Sequence, residues 1–136
     1  MIDVRYAVFC DHSIIDRNGK LSIIGIFDAI RPPQLPFNVP ALCIVVGFEA
    51  ESAEAQEFQA KYEILSQDGG VALFEREATF TFPAVEPGNL KRYNDVMQLY
   101  GLPVSVAGPH SLIIRVNNEI RKRVVLDVND PSGVQP

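Results

Sequence analysis

Tryptophan is absent from this chain, and cysteine, histidine and methionine occur only twice each. That scarcity excludes whole classes of chemistry. A structural zinc site draws four ligands from spaced Cys and His pairs, and a disulfide scaffold needs four or more cysteines, so neither is expected here. The motif C-x-x-C is missing, as are H-E-x-x-H, G-x-G-x-x-G, G-x-x-x-x-G-K-[ST] and G-x-S-x-G, which removes the standard signatures of metalloproteases, dinucleotide and phosphate loops and serine hydrolases. No cofactor is expected. The sequence also contains no Asn-x-Ser/Thr sequon and no apolar run approaching the ~18 residues of a membrane span. The opening MIDVRYAVFCDHS carries acid and base within five residues and lacks the apolar core of a secretory signal.

Basic charge is in deficit as well. Twelve Lys and Arg stand against seventeen Asp and Glu, for a net charge of −5, and such a field repels phosphate backbones and anionic lipid. The expectation is a cytoplasmic protein that binds neither nucleic acid nor membrane. Carbohydrate platforms favour exposed aromatic rings, and four tyrosines with no tryptophan give that class little support.

What is present is an ordinary globular composition, 47% hydrophobic and 21% charged over 136 residues. A chain of this length folds as one domain burying roughly 68% of its unfolded surface. The expected domain is 1–136, with 129–136 as a flexible tail. Cys10 and Cys43 sit inside the apolar runs YAVFC and ALCIVVGF, where a thiol behaves as a small buried hydrophobe.

The dominant period is two. Phe58, Ala60, Tyr62 and Ile64 alternate with Glu57, Gln59, Lys61 and Glu63, the pattern of a half-buried strand. Leu112, Ile114 and Val116, then Val124, Leu126 and Val128, repeat it on either side of Asn117-Asn118, a pair that tolerates the left-handed backbone of a tight hairpin. Val4 to Cys10, Leu21 to Phe27 and Ala41 to Phe48 are more continuously apolar, as central strands are. Asp68-Gly69-Gly70 marks a hairpin into Val71 to Phe82. In that last strand Arg76 shares a face with Phe74, Ala78 and Phe80, and a β-bulge would explain it. Prolines 32, 33, 36 and 40, and then 83 and 87, punctuate two loops. Gly108-Pro109 supplies a further turn. EAESAEAQE reads as a loop, and Tyr93 to Tyr100 as a strand. With eight or nine short strands and no long helix, the expected fold is all-β, a two-sheet antiparallel β-sandwich of jelly-roll or immunoglobulin-like form.

Two groups of residues are candidates for function. Asp11 and His12 are adjacent, and with His110 they would be the nucleus of a small hydrolytic or metal-dependent site. Adjacent residues of a regular strand point to opposite faces, so the alternative is that Asp11 caps a strand end while His12 lies on the surface. Arg17-Asn18-Gly19-Lys20 downstream reads as a hairpin whose two central residues both take positive φ. The second group is Arg115, Arg121 and Arg123, with Lys122 among them, all on the terminal hairpin and read as outward-facing. In an acidic protein they form a local positive patch for an anionic ligand or an acidic partner, or a solvated face paired with glutamates.

The stretch AVFCDHSIIDRNGKLSIIGIFDAI resembles the opening of a family of uncharacterised bacterial proteins with a single all-β domain of unknown function. The half from FPAV to AGPHSLIIRV continues the resemblance, with His110 at a position that is usually aromatic. The resemblance implies a β-sandwich over most of the chain and carries over no functional residue. The reading that remains is a non-enzymatic binding or assembly module, with a homo-oligomer or a protein partner as its company.

Overall fold

The apolar runs become strands in the computed structural model, which describes residues 2–132. In chain order these are β1 (Ile2–Ile15), β2 (Leu21–Phe27), β3 (Ala29–Ile30), β4 (Phe37–Ala50), β5 (Gln56–Leu65), β6 (Ala72–Phe82), β7 (Lys91–Val104), β8 (Gly108–Val116) and β9 (Glu119–Val128). One sheet has the order β2-β1-β4-β7 and the other β3-β9-β8-β5-β6. All pairings are antiparallel except the short β3–β9 contact. That contact is parallel because the chain leaves β2, crosses to the second sheet and there accepts the Asp127 and Asn129 amides on the Asp28 and Ile30 carbonyls. Asn129, at the head of the segment expected to be flexible, is thus tied down; 133–136 lie outside the described residues.

The two sheets bury a common core between them. Phe9, Leu42, Ile44, Val46, Phe48, Met97 and Leu99 come from the first sheet, and Phe58, Tyr62, Ile64, Leu112, Ile114 and Leu126 from the second. The alternation of β5 places its four apolar side chains inward, all at most 2% exposed. Aromatic rings dominate one region: Phe58 lies 5.1 Å from Phe48, 5.4 Å from Phe80 and 5.4 Å from Phe82, centroid to centroid.

Turn chemistry explains the hairpins. Asn117 and Asn118 both take positive φ (49° and 70°) and close β8 onto β9. At the first hairpin only Gly19 does so, with φ 82°. Asp16 makes the second left-handed residue unnecessary: its carboxylate accepts the Asn18 and Lys20 amides at 2.8 and 2.9 Å, and its carbonyl accepts the Gly19 amide. In the β5–β6 turn, hydrogen bonds from Ser66 and Gly70 hold the Asp68 carboxyl below its ordinary range.

Pro40 lies inside β4 rather than in the preceding loop. It is tolerated because β1 pairs with β4 only as far as Cys10↔Cys43. Beyond that point β4 has a partner on one side only, where a missing N–H costs no ladder bond. The remainder of β1, Asp11 to Ile15, pairs with β2 alone and projects as a two-stranded hairpin. Pro109 likewise belongs to β8, at a position paired only with β9. The expected bulge at Arg76 is absent: β5 and β6 stay in register from Gln56↔Phe82 to Ile64↔Phe74 and slip only at Leu65.

Candidate functional site

The terminal hairpin does contain a bulge, between Ile114 and Arg115, where Lys122 and Ile120 are the successive partners. Arg121 is the extra residue, so the three arginines do not form one regular row. Arg115 pairs with Glu63 on the neighbouring strand, and Arg121 with Glu119 at 2.9 Å. Arg123 is exposed and stands opposite Ile113. Two of the three positive charges are therefore answered locally.

Asp11 and His12 are exposed on the projecting part of β1, whereas His110 is 1% exposed on the core side of β8. Among the described residues no three His, Cys, Asp or Glu side chains gather closely enough to hold a metal ion. The Asp11 carboxylate lies against Gly25, so closely that a Cβ there would collide with it. It caps no backbone N–H among the described residues; Asp16 does that work. His110 Nδ1 donates to the Gly108 carbonyl at 3.0 Å, since a carbonyl only accepts. Its Nε2 is buried without a hydrogen-bond partner among the described residues.

Arg76 has a different explanation from the one its sequence position suggests. It stands opposite Tyr62, which is fully buried and donates to Asp95 on β7 at 2.6 Å. Asp95 is itself 6% exposed. Burial first, then the hydrogen bond to Asp95 and its charge, pushes the Tyr62 phenol well above its ordinary range, with Arg76 acting the other way. A phenol held protonated against a carboxylate inside the sandwich ties β5 to β7; neither oxygen is placed to meet a substrate. Sequence alternation assigned Tyr62 to the core and gave no sign of Asp95, 33 residues away. The charged Arg76 at a core-facing position was the available signal. Between the edge strands β6 and β7, Leu73, Phe74, Leu99, Leu102 and Pro103 line a shallow groove of about 230 Å³, with Tyr100, 77% exposed, among its lining residues.

The outer face of the first sheet carries a second, smaller apolar cluster. Cys10, Cys43 and Val45 are at most 1% exposed there, covered by Tyr6, Val8, Leu21, Ile23 and Val96. Gly25 makes this possible. Phe27 packs into the core between the sheets, yet Ile23, of the same strand parity, packs on the outer cluster. Between them Gly25 has φ 71°, which reverses the alternation. Cys10 faces Cys43 directly across the ladder, Ser13 Oγ lies 2.9 Å from Cys43 Sγ, and both thiols are free. Burial, with the Cys43 thiol beside it, raises the Cys10 thiol to about 12. The unfolded chain releases this proton near 9 and the folded chain does not, so stability present below pH 9 is lost as pH rises toward 12. Chemical denaturation at pH 8 and pH 11 checks this: the midpoint falls at pH 11, and falls less in Cys10→Ala.

The same hairpin exposes its remaining isoleucines. Ile14, Ile15, Ile24 and Ile26 are 56%, 49%, 53% and 63% exposed. His12 stands opposite Ile24, and Ile14 opposite Ser22, so Ile14, His12 and Ile24 share one face. These four side chains are the largest concentration of exposed aliphatic residues on any one hairpin among the described residues.

A family model described as a family of unknown function, DUF6941, matches residues 5–129. The chain belongs to that family. No curated protein matches its sequence. Among solved structures, the alkylpurine DNA glycosylase AlkC of Pseudomonas fluorescens, bound to DNA containing an abasic site analog, superposes with a TM-score of 0.60 at 11% identity. The likeness covers 94% of this chain but only 30% of the glycosylase, and it is one of fold alone. An immunoglobulin-like protein of Pseudomonas aeruginosa aligns over 95% of this chain and 97% of its own, at 12% identity and a TM-score of 0.44. No helix among the described residues is long and apolar enough to cross a membrane.

Proposed function

We propose that this domain is a non-enzymatic binding or assembly module of a bacterial cytoplasmic protein system, and that it docks another polypeptide through the β1–β2 hairpin. One observation carries the reading: four isoleucines, Ile14 and Ile24 on one face and Ile15 and Ile26 on the other, are exposed on a projecting hairpin that ends in an open strand edge. Exposed aliphatic side chains grouped in this way mark interaction surfaces. The recurring way to satisfy an open edge is addition of a strand. The polar groups of the sandwich support the same reading, because Tyr62 and Asp95 are consumed by each other and Arg115 and Arg121 by glutamates.

A photo-crosslinking amino acid placed at Ile26, with one at Glu77 on β6 as control, tests it in the native host. Adducts with a polypeptide are expected from position 26 and not from position 77. Absence of adducts at position 26, or the same adducts from both positions, would overturn the reading.

A further inference from the structure

The chain has two cysteines, and the fold brings them together. Cys10 and Cys43 stand directly opposite each other on antiparallel strands, and side chains at such a pair of positions share one face of the sheet. Both belong to the outer apolar cluster, and both are free thiols. Opposed Cα atoms in an antiparallel ladder lie about 4.5 or 5.5 Å apart, and either spacing falls inside the ~4.4–6.8 Å that a disulfide spans. The Cys43 side chain is also near enough to hydrogen-bond with the Cys10 thiol. Joining the two sulfurs asks for no movement of either strand.

Cys10↔Cys43 is the last rung between β1 and β4 before β1 departs with β2 as the projecting hairpin. The two sulfurs lie on the outer face of the first sheet, under Leu21 and Ile23 of the hairpin and under Tyr6, Val8 and Val96. That cover is only one side chain deep. Leu21 and Ile23 come from β2, which shares no rung with β4, so local opening of the hairpin uncovers the sulfurs while the β1–β4 ladder stays intact.

We propose that Cys10 and Cys43 are a site of reversible oxidative modification, at which hydrogen peroxide joins the two sulfurs across the rung and fastens the base of the hairpin to β4. Cys43 is the sulfur that attacks first. Ser13 Oγ lies 2.9 Å from Cys43 Sγ, and Cys10, kept protonated by burial, is a second donor to the same atom. The Cys43 sulfur, its proton given to water, attacks one peroxide oxygen; the O–O bond breaks and hydroxide leaves, takes up a proton and becomes water, so that a sulfenic acid remains. The Cys10 sulfur then attacks the sulfenic sulfur. The S–S bond forms, the S–O bond breaks, and the departing hydroxide carries off the Cys10 proton as a second water. Two electrons have passed from the sulfur pair to the peroxide. In a reducing compartment the link is transient, because two thiols of a reductant reverse it by exchange and leave as a disulfide themselves. The site is independent of the docking proposed for the hairpin.

Mass spectrometry of the full chain, reduced, desalted and then treated with hydrogen peroxide at neutral pH, tests the site. The expected product has lost two hydrogens, takes up no alkylating reagent after denaturation, links the Cys10 and Cys43 peptides within one chain, and regains its starting mass in dithiothreitol. Cys10→Ser removes the second sulfur and is expected to trap Cys43 as a sulfenic acid that dimedone labels, whereas Cys43→Ser is expected to leave Cys10 unlabelled. Ile23→Ala thins the cover and is expected to speed the link severalfold. The wild-type result stands however the variants fold. Two cysteines that are still alkylated after peroxide treatment and denaturation overturn the proposal, as does a link formed only between chains or oxidation of either sulfur past the sulfenic acid without the link.

Discussion

Replacing Phe58 by alanine is expected to cost about 3–5 kcal/mol of folding stability. The ring is 2% exposed and lies within 5.1 to 5.4 Å, centroid to centroid, of Phe48, Phe80 and Phe82. Those neighbours come from both sheets, so truncation opens a cavity between the layers instead of at a margin where side chains can relax into the gap. Interior packing is too dense for the surroundings to close it fully. Against the ~5–15 kcal/mol that holds a typical domain together, such a loss is a large fraction of the total. Urea denaturation measures it directly. A loss below ~1 kcal/mol, the range of ordinary surface substitutions, would show that the aromatic cluster is not the centre of the core.

The second large effect is expected at the Tyr62–Asp95 tie. Tyr62→Phe removes one oxygen, but it strands a buried acceptor, and leaving such a group without its donor costs about 1–3 kcal/mol, more when it is charged. Asp95→Leu strands the phenol in the same way. The double variant removes both groups at once and replaces them with apolar surface. It is therefore expected to be more stable than the sum of the single losses implies, and more stable than Tyr62→Phe alone. A double-mutant cycle in urea supplies the coupling energy. Strict additivity would mean that the two oxygens do not depend on each other, contrary to their 2.6 Å hydrogen bond.

These two sites also show how far the sequence could be read. Phe58, Ala60, Tyr62 and Ile64 announced a core-facing row because alternation is a local property, and Asn117-Asn118 announced its turn because left-handed backbone has a short list of occupants. Arg76 looked like an error of parity. It is an exposed, regular strand residue that stands opposite Tyr62, near enough for its charge to act on the phenol, and pairings between strands leave no trace in one strand's pattern. Pro40 misled for a related reason: a proline suggests a loop unless it is known that the neighbouring strand has already departed. The burial of both faces of β4 around Cys43 and Val45 depends on Gly25, whose φ of 71° folds the hairpin's side chains over the outer surface. In sequence it was one glycine among isoleucines. The arginine row was legible as charge, but its neutralisation by Glu63 and Glu119 and the bulge at Arg121 are products of register.

The projecting hairpin gives these features a common meaning. β2 owes its exposure to the early departure of β1 from β4, and it owes its unguarded edge to a sequence that keeps charge outside the strand, at Lys20 and Asp28. Backbone hydrogen exchange of the purified protein, resolved to single amides, is the most direct test of that claim. The amides of β2 that point away from β1 are expected to exchange freely, whereas those of β4, flanked by β1 and β7, are protected. Protection of the outward β2 amides to the level of β4 would contradict it.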